Sequence, residues 1–213
     1  MSGASVAVSR GAGTIVRRLA ERAPAAILEV ELRNFTRMSE VLDAERVLEL
    51  ASGFFSLGGT AAKQHGGEVF GVQNDSLLCA FRGGAPAQSA AHAVAAAQAM
   101  LRDFEPLGER WKTDFGFPAT LAVGLHIGDT VFGMAGPHGG EQYVAFGDTV
   151  SITERLVHRA RAGEIVFSLE VAKLLGGAAV KALGAKPLPP LELGKRPAIP
   201  LFGVLLEERL DFT

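Results

Sequence analysis

Apolar and polar positions along the chain change period several times, and each change marks an element. Ala25–Leu32 is apolar except for Glu29 and Glu31, which predicts a buried strand with both acids on one face. In Asp43–Gln64, Val47, Leu50, Ala51, Phe54, Leu57 and Ala61 recur at three- and four-residue steps, the period of a helix with one apolar side. Glu68–Val72 and Ser76–Phe81 read as short strands joined by a tight turn at Asn74-Asp75, because Asn tolerates positive φ. Ala85–Phe104 predicts a second long helix, and Trp111 and Lys112 fall in the polar connector after it. Thr120–Ile127 and Thr130–Met134 read as a strand pair, followed by a strand at Glu141–Ala145. Gly147–Arg161 predicts a helix, Glu164–Phe167 a strand and Leu169–Leu175 a short helix. Strands are expected near Val180–Leu183 and Pro200–Leu206, with Pro187–Pro190 as a connector.

The order strand, helix, strand, strand, helix, strand is that of a ferredoxin-like βαββαβ sheet with helices on one face, an α+β sandwich carrying a C-terminal extension. The expected organisation is a lead-in at 1–24, where Thr14–Arg22 reads as a short basic helix, a domain at 25–206 and a tail at 207–213.

Composition narrows the function classes. The 213 residues are 48% apolar and 21% charged, which excludes a disordered chain. A formal charge of −2 gives no electrostatic case for nucleic acid or an anionic membrane. No stretch reaches the roughly 18 uninterrupted apolar residues of a membrane span; Ala85–Leu101 comes nearest and is broken by Gln88, Ser89, His92 and Gln98. With no secretory signal evident and one cysteine, Cys79, inside an apolar run, the expectation is a cytoplasmic domain with an inert buried thiol.

Single residues give open readings. Glu29 and Glu31 are a metal-binding pair or two solvent-facing acids at a strand end, and Asp75 is a ligand or a turn residue bonding its own backbone. Arg155 meets a phosphate or pairs with Glu154 beside it. His126, between Leu125 and Ile127, reads as a core histidine, and His65 as part of a helix C-cap. Gly133–Gly140 lacks the Lys-Ser/Thr of a phosphate loop.

Three segments carry more information together. Ile27-Leu28-Glu29-Val30-Glu31-Leu32-Arg33-Asn34-Phe35-Thr36 is the first, and His65-Gly66-Gly67-Glu68 leading to Asn74-Asp75 is the second. The third runs from Gly124-Leu125-His126-Ile127-Gly128-Asp129 to Tyr143-Val144-Ala145-Phe146-Gly147-Asp148-Thr149-Val150-Ser151-Ile152-Thr153-Glu154-Arg155-Leu156, and Gly163–Ser168 completes it. In order and spacing they resemble the catalytic domain of class III adenylate/guanylate cyclases, over roughly 25–205.

The resemblance implies a head-to-tail dimer, homo- or heteromeric, with sites at the interface for a purine nucleoside triphosphate and two Mg²⁺ or Mn²⁺ ions. It also implies an interface hairpin at Gly133–Gly140. The ribose 3′-hydroxyl attacks the α-phosphorus while cations stabilise the leaving pyrophosphate. By position, the metal carboxylates are Glu31, one methylene longer than the family's Asp, and Asp75. The transition-state Arg is Arg155. The base-reading Lys falls on Gly71 and its partner Asp or Thr on Val144. The transition-state Asn falls on Ser151. The triphosphate Lys falls on Leu193, with Lys195 two residues on as an out-of-register substitute. Losing one charge-stabilising donor costs about 2.7–4 kcal/mol of transition-state stabilisation. The expected function is therefore a dimerising pseudo-cyclase in signal transduction. The alternatives are an active cyclase with a remodelled site and the inactive half of a heterodimeric cyclase.

Overall fold

The computed structural model describes residues 20–205. In chain order the elements are β1 (Glu21–Arg33), α1 (Phe35–Val41), α2 (Ala44–Gln64), β2 (Glu68–Gln73), β3 (Ser76–Phe81), α3 (Pro86–Phe115) and β4 (Thr120–Ala135). After them come β5 (Gln142–Phe146), α4 (Asp148–Arg159), β6 (Glu164–Ser168), α5 (Leu169–Leu175), α6 (Gly177–Ala182), β7 (Lys186–Leu193) and β8 (Arg196–Leu205). One sheet runs β2-β3-β1-β4-β6-β8-β7, with β5 paired to β4 off this path. Its first four strands have the ferredoxin-like order that the segment pattern implies.

Alternation along the strands divides the interior in two. Leu28, Val30 and Leu32 of β1, Leu77, Cys79 and Phe81 of β3 and Leu121, Val123 and Leu125 of β4 point to one face, where α2 and α3 cover them. Each fully buried Leu or Phe there contributes about 1.5–3 kcal/mol. The intervening residues point to the other face. Ala122 and Val166 meet Ile152, Leu156 and Val157 of α4 there, and Ala25, Ile27, Phe70, Ala80, Phe132 and Ala145 make a third cluster. The expectation of helices on one face is thus corrected: α4 packs on the face opposite α2 and α3.

Several boundaries differ from the pattern, each for a packing reason. β1 starts at Glu21, not Ala25, because its first residues pair with the extended end of β4, Glu21 opposite Phe132. The rest of the expected basic helix at Thr14–Arg22 lies outside the described residues. β4 is one continuous strand through Gly128-Asp129, not a pair. α3 runs eleven residues past Phe104 and through Pro106, despite the roughly 3 kcal/mol that an interior proline costs. Trp111 explains the extension: it is buried and stands edge-on to Phe104 at 5.4 Å, so Trp111 and Lys112 are helical rather than in a connector. Val180–Leu183 is mostly helix α6, bracketed by Gly176 and Gly184 at φ 82° and 67°. Pro187–Pro190 belongs to β7, an edge strand, where a proline withdraws no needed donor.

Cys79 is fully buried, and burial pushes its thiol up to about 12, as an inert core residue requires.

Candidate functional site

Asp43 caps α2 by accepting from the Arg46 amide at 2.8 Å, and the β2–β3 turn that follows that helix bends at Asn74, φ 30°. The Asp75 carbonyl in this turn accepts from the Leu32 amide at 2.8 Å. Glu31 lies opposite Ser76. The two carboxylate-bearing segments that the resemblance assigns to metal therefore sit side by side at one end of the sheet, with Glu31 on the face that α4 covers.

Glu31 is not free to face an ion. Its Oε1 accepts from Arg33 Nη1 at 2.5 Å, and Oε2 stands 3.8 Å from His158 Nε2. Arg33 Nη2 donates in turn to the Val157 and Ala160 carbonyls at 2.6 Å each, the C-terminal end of α4. Class III cyclases are metal-dependent in general, and Mg²⁺ needs near-octahedral oxygen ligands at about 2.0–2.1 Å. Among the described residues no three His, Cys, Asp or Glu side chains gather as a metal-holding group. With a guanidinium already on Glu31, the residues present do not fit a two-ion site.

Glu29, two positions back on the same face, has its carboxyl raised to about 6, first by burial and then by the Glu154 charge, with Ser76 and His158 opposing. Glu154 thus faces Glu29, and among the described residues it forms no ion pair with Arg155. Folded Glu29 binds more protons than the unfolded chain between its ordinary 4.5 and about 6, so it lowers stability progressively as pH rises through that window. Discounted for its partial exposure, Glu29→Gln is expected to stabilise the domain by roughly 1–2 kcal/mol at pH 8 and by little at pH 5. Urea titrations at the two pH values check this; equal gains at both would remove ionisation as the cause.

The other assigned positions are dispersed. Gly71 is on edge strand β2 opposite Leu78, and Val144 is half-buried on β5 opposite Gly133. Ser151 and Arg155 are exposed on α4. Leu193 packs against the cluster under α4, while Lys195 is exposed at the β7–β8 turn. Next to it Arg196 pairs with Asp148 at 2.7 Å, which holds that carboxyl below its usual range. Strands β2 and β7 are the two edges of the sheet, roughly 30 Å apart at the usual strand spacing. One chain does not bring Gly71 and Lys195 together.

Other groups here were not singled out by the sequence. His158 and Arg196 have no motif of their own, and only the pairing of distant segments brings them to acids; Arg33 pairs with Glu31 on its own strand. Arg82 is another: its guanidinium lies 4.2 Å over Phe132 and 5.5 Å over Phe70, with Glu21 at 3.1 Å. His126 behaves as a core residue, buried, 2.8 Å from Ser168 Oγ, with burial lowering its pKa. His65 is the C-cap of α2.

Sheet order, the α4 face and the Gly-Asp-Thr helix start together define an α+β domain of the class III cyclase type. The chain belongs to the adenylate and guanylate cyclase catalytic domain family, which matches residues 20–194. It is similar to adenylate cyclase 1 of Rhizobium meliloti (strain 1021), 28% identical over 141 residues, 65% of this chain and 21% of that protein. The chain thus spans about a fifth of that curated relative. Among solved structures it resembles the adenylyl cyclase CyaB from P. aeruginosa, with a TM-score of 0.79 and 23% identity over 92% of this chain and 100% of that one. It also resembles the guanylyl cyclase Cya2, with a TM-score of 0.73 and 25% identity over 87% and 93% of the respective chains.

Proposed function

We propose that the chain is a cyclase-homology module that has lost turnover of ATP or GTP to cyclic nucleotide and serves signalling by dimerising with a second copy or with another cyclase chain. The observation that carries this reading is the chemistry at Gly71, Val144, Ser151 and Leu193, where a retained cyclase frame presents no cation, carboxylate or amide. A protein that reads a purine edge by hydrogen bonds discriminates strongly, and one without those groups does not. The distribution of the assigned positions over both sheet edges supports a site shared between two chains. The described residues hold no helix long and apolar enough to cross a membrane, and a cytoplasmic setting is part of the proposal.

The test is direct. Purified protein incubated with ATP or GTP and Mn²⁺ or Mg²⁺ is expected to yield no cyclic nucleotide above a no-protein control. Product that disappears in Asp75→Ala would sink the pseudo-cyclase reading in favour of an active, remodelled cyclase.

A second reading has its own support. Arg155 is exposed and in no ion pair among the described residues, as suits a group lent to a partner's site. Mixing the chain with an active cyclase domain that lacks its own transition-state Arg distinguishes the two: rescue dependent on Arg155 makes this chain the supporting half of a heterodimer.

A further inference from the structure

We propose that Arg33 is the resident cation of this domain, a built-in counter-ion that holds Glu31 and the end of α4 together where the cyclase resemblance calls for a divalent metal. The inference deepens the pseudo-cyclase reading and rests on its assignment of Glu31. Residues two apart on a strand share a face with their Cβ atoms about 7 Å apart, so a carboxylate meets the guanidinium of its second neighbour only if the two side chains span that gap. The long Arg33 side chain spans most of that gap, and its Nη1 lies 2.5 Å from Glu31 Oε1.

Both oxygens of Glu31 face cationic or protonatable groups, Oε1 that of Arg33 and Oε2 that of His158 at 3.8 Å. The same guanidinium bonds the Val157 and Ala160 carbonyls. The last carbonyls of a helix lack intrahelical donors and carry the negative end of its dipole. One cation therefore compensates a carboxylate and a helix terminus at once. A metal ion binding Glu31 has to displace a group that also anchors α4, the helix carrying Ser151 and Arg155. Both side chains of the pair are largely shielded from water, 22% and 15% exposed, which strengthens the pairing relative to a surface ion pair.

The experiment is a Mn²⁺ titration followed by the loss of the free-ion electron spin resonance signal, with thermal melts in the presence and absence of MnCl₂. Wild-type protein is expected to show no Glu31-dependent binding, with Glu31→Gln leaving its Mn²⁺ curve unchanged and lowering Tm. Arg33→Gln is expected to bind Mn²⁺ at least tenfold more tightly than wild type, to lose that binding in Arg33→Gln/Glu31→Gln, and to melt lower unless Mn²⁺ is added. Should Arg33→Gln not fold, Arg33→Met serves: it keeps the aliphatic stem without the guanidinium, and the same gain of Mn²⁺ binding is expected. Wild-type binding that Glu31→Gln abolishes, or no gain in any folded variant, overturns the proposal. Cyclic product from the wild-type chain refutes the pseudo-cyclase reading whatever Mn²⁺ does. Glu31-dependent Mn²⁺ binding without product refutes only the role of Arg33.

Discussion

Gly124→Ala is expected to destabilise the domain by about 3 kcal/mol or more, the upper range for overpacking, and to dislodge α4 from the sheet. A Cβ on Gly124 would stand 2.4 Å from the Val157 amide nitrogen and 2.6 Å from the Thr153 carbonyl oxygen. Both are backbone atoms of α4, so no rotamer change relieves the contact and the whole helix has to move. The effect reaches the site directly, because α4 carries His158 toward Glu31, Glu154 toward Glu29, and the carbonyls that Arg33 binds. Gly133→Ala is the control. Among the described residues its Cβ meets only Ala20, at 3.6 Å, an ordinary contact, and a change within about 0.5 kcal/mol is expected. Urea midpoints of the two variants check this, and equal midpoints would mean that Gly124 does not set the approach of α4.

Gly124 also marks what the sequence can tell and what it cannot. Its position within Gly124-Leu125-His126-Ile127-Gly128-Asp129 is visible in the chain, but the reason for it lies some thirty residues on, in a helix whose docking face no local period reveals. Several strands and helices follow from local rules. Period-two and period-four runs gave Ser76–Phe81 and Leu169–Leu175 with the bounds observed, and Asp43 caps α2 as an N-terminal Asp should. Pattern and structure part where tertiary burial overrides local preference: α3 through Pro106, edge strand β7 through its prolines, and α4 on the second face. The family resemblance assigns the site as a set of positions. The state of Glu31 is not read there, since no local period says that the Arg33 guanidinium, two residues on, turns both to Glu31 and to the carbonyls at the end of α4.

Gly71 is the opposite case to Gly124, and it carries the largest expected functional change. Gly71 is not among the residues with positive φ, and among the described residues a Cβ there meets only Leu78 Cβ at 3.6 Å. Nothing in the backbone demands glycine, so a lysine is sterically admissible. Val144 is half-buried on β5 and Ser151 exposed on α4, so both also accept a polar side chain, whereas Leu193 packs under α4 and is best left alone. The triple variant Gly71→Lys, Val144→Asp, Ser151→Asn is therefore expected to fold with near wild-type stability. A charged hydrogen bond is worth about 1.5–3 kcal/mol, and each 1.4 kcal/mol is a factor of ten in affinity. After allowance for imperfect geometry, a fluorescent ATP or GTP analogue should bind the variant roughly ten- to a hundredfold more tightly than wild type. Cyclic product is still not expected while Arg33 holds Glu31, because improved ground-state binding alone does not lower the barrier. Tighter binding without turnover would mean that the purine contacts were lost separately from the metal contacts. Unchanged affinity in a folded triple variant would mean that Gly71, Val144 and Ser151 do not line a nucleotide site in this chain.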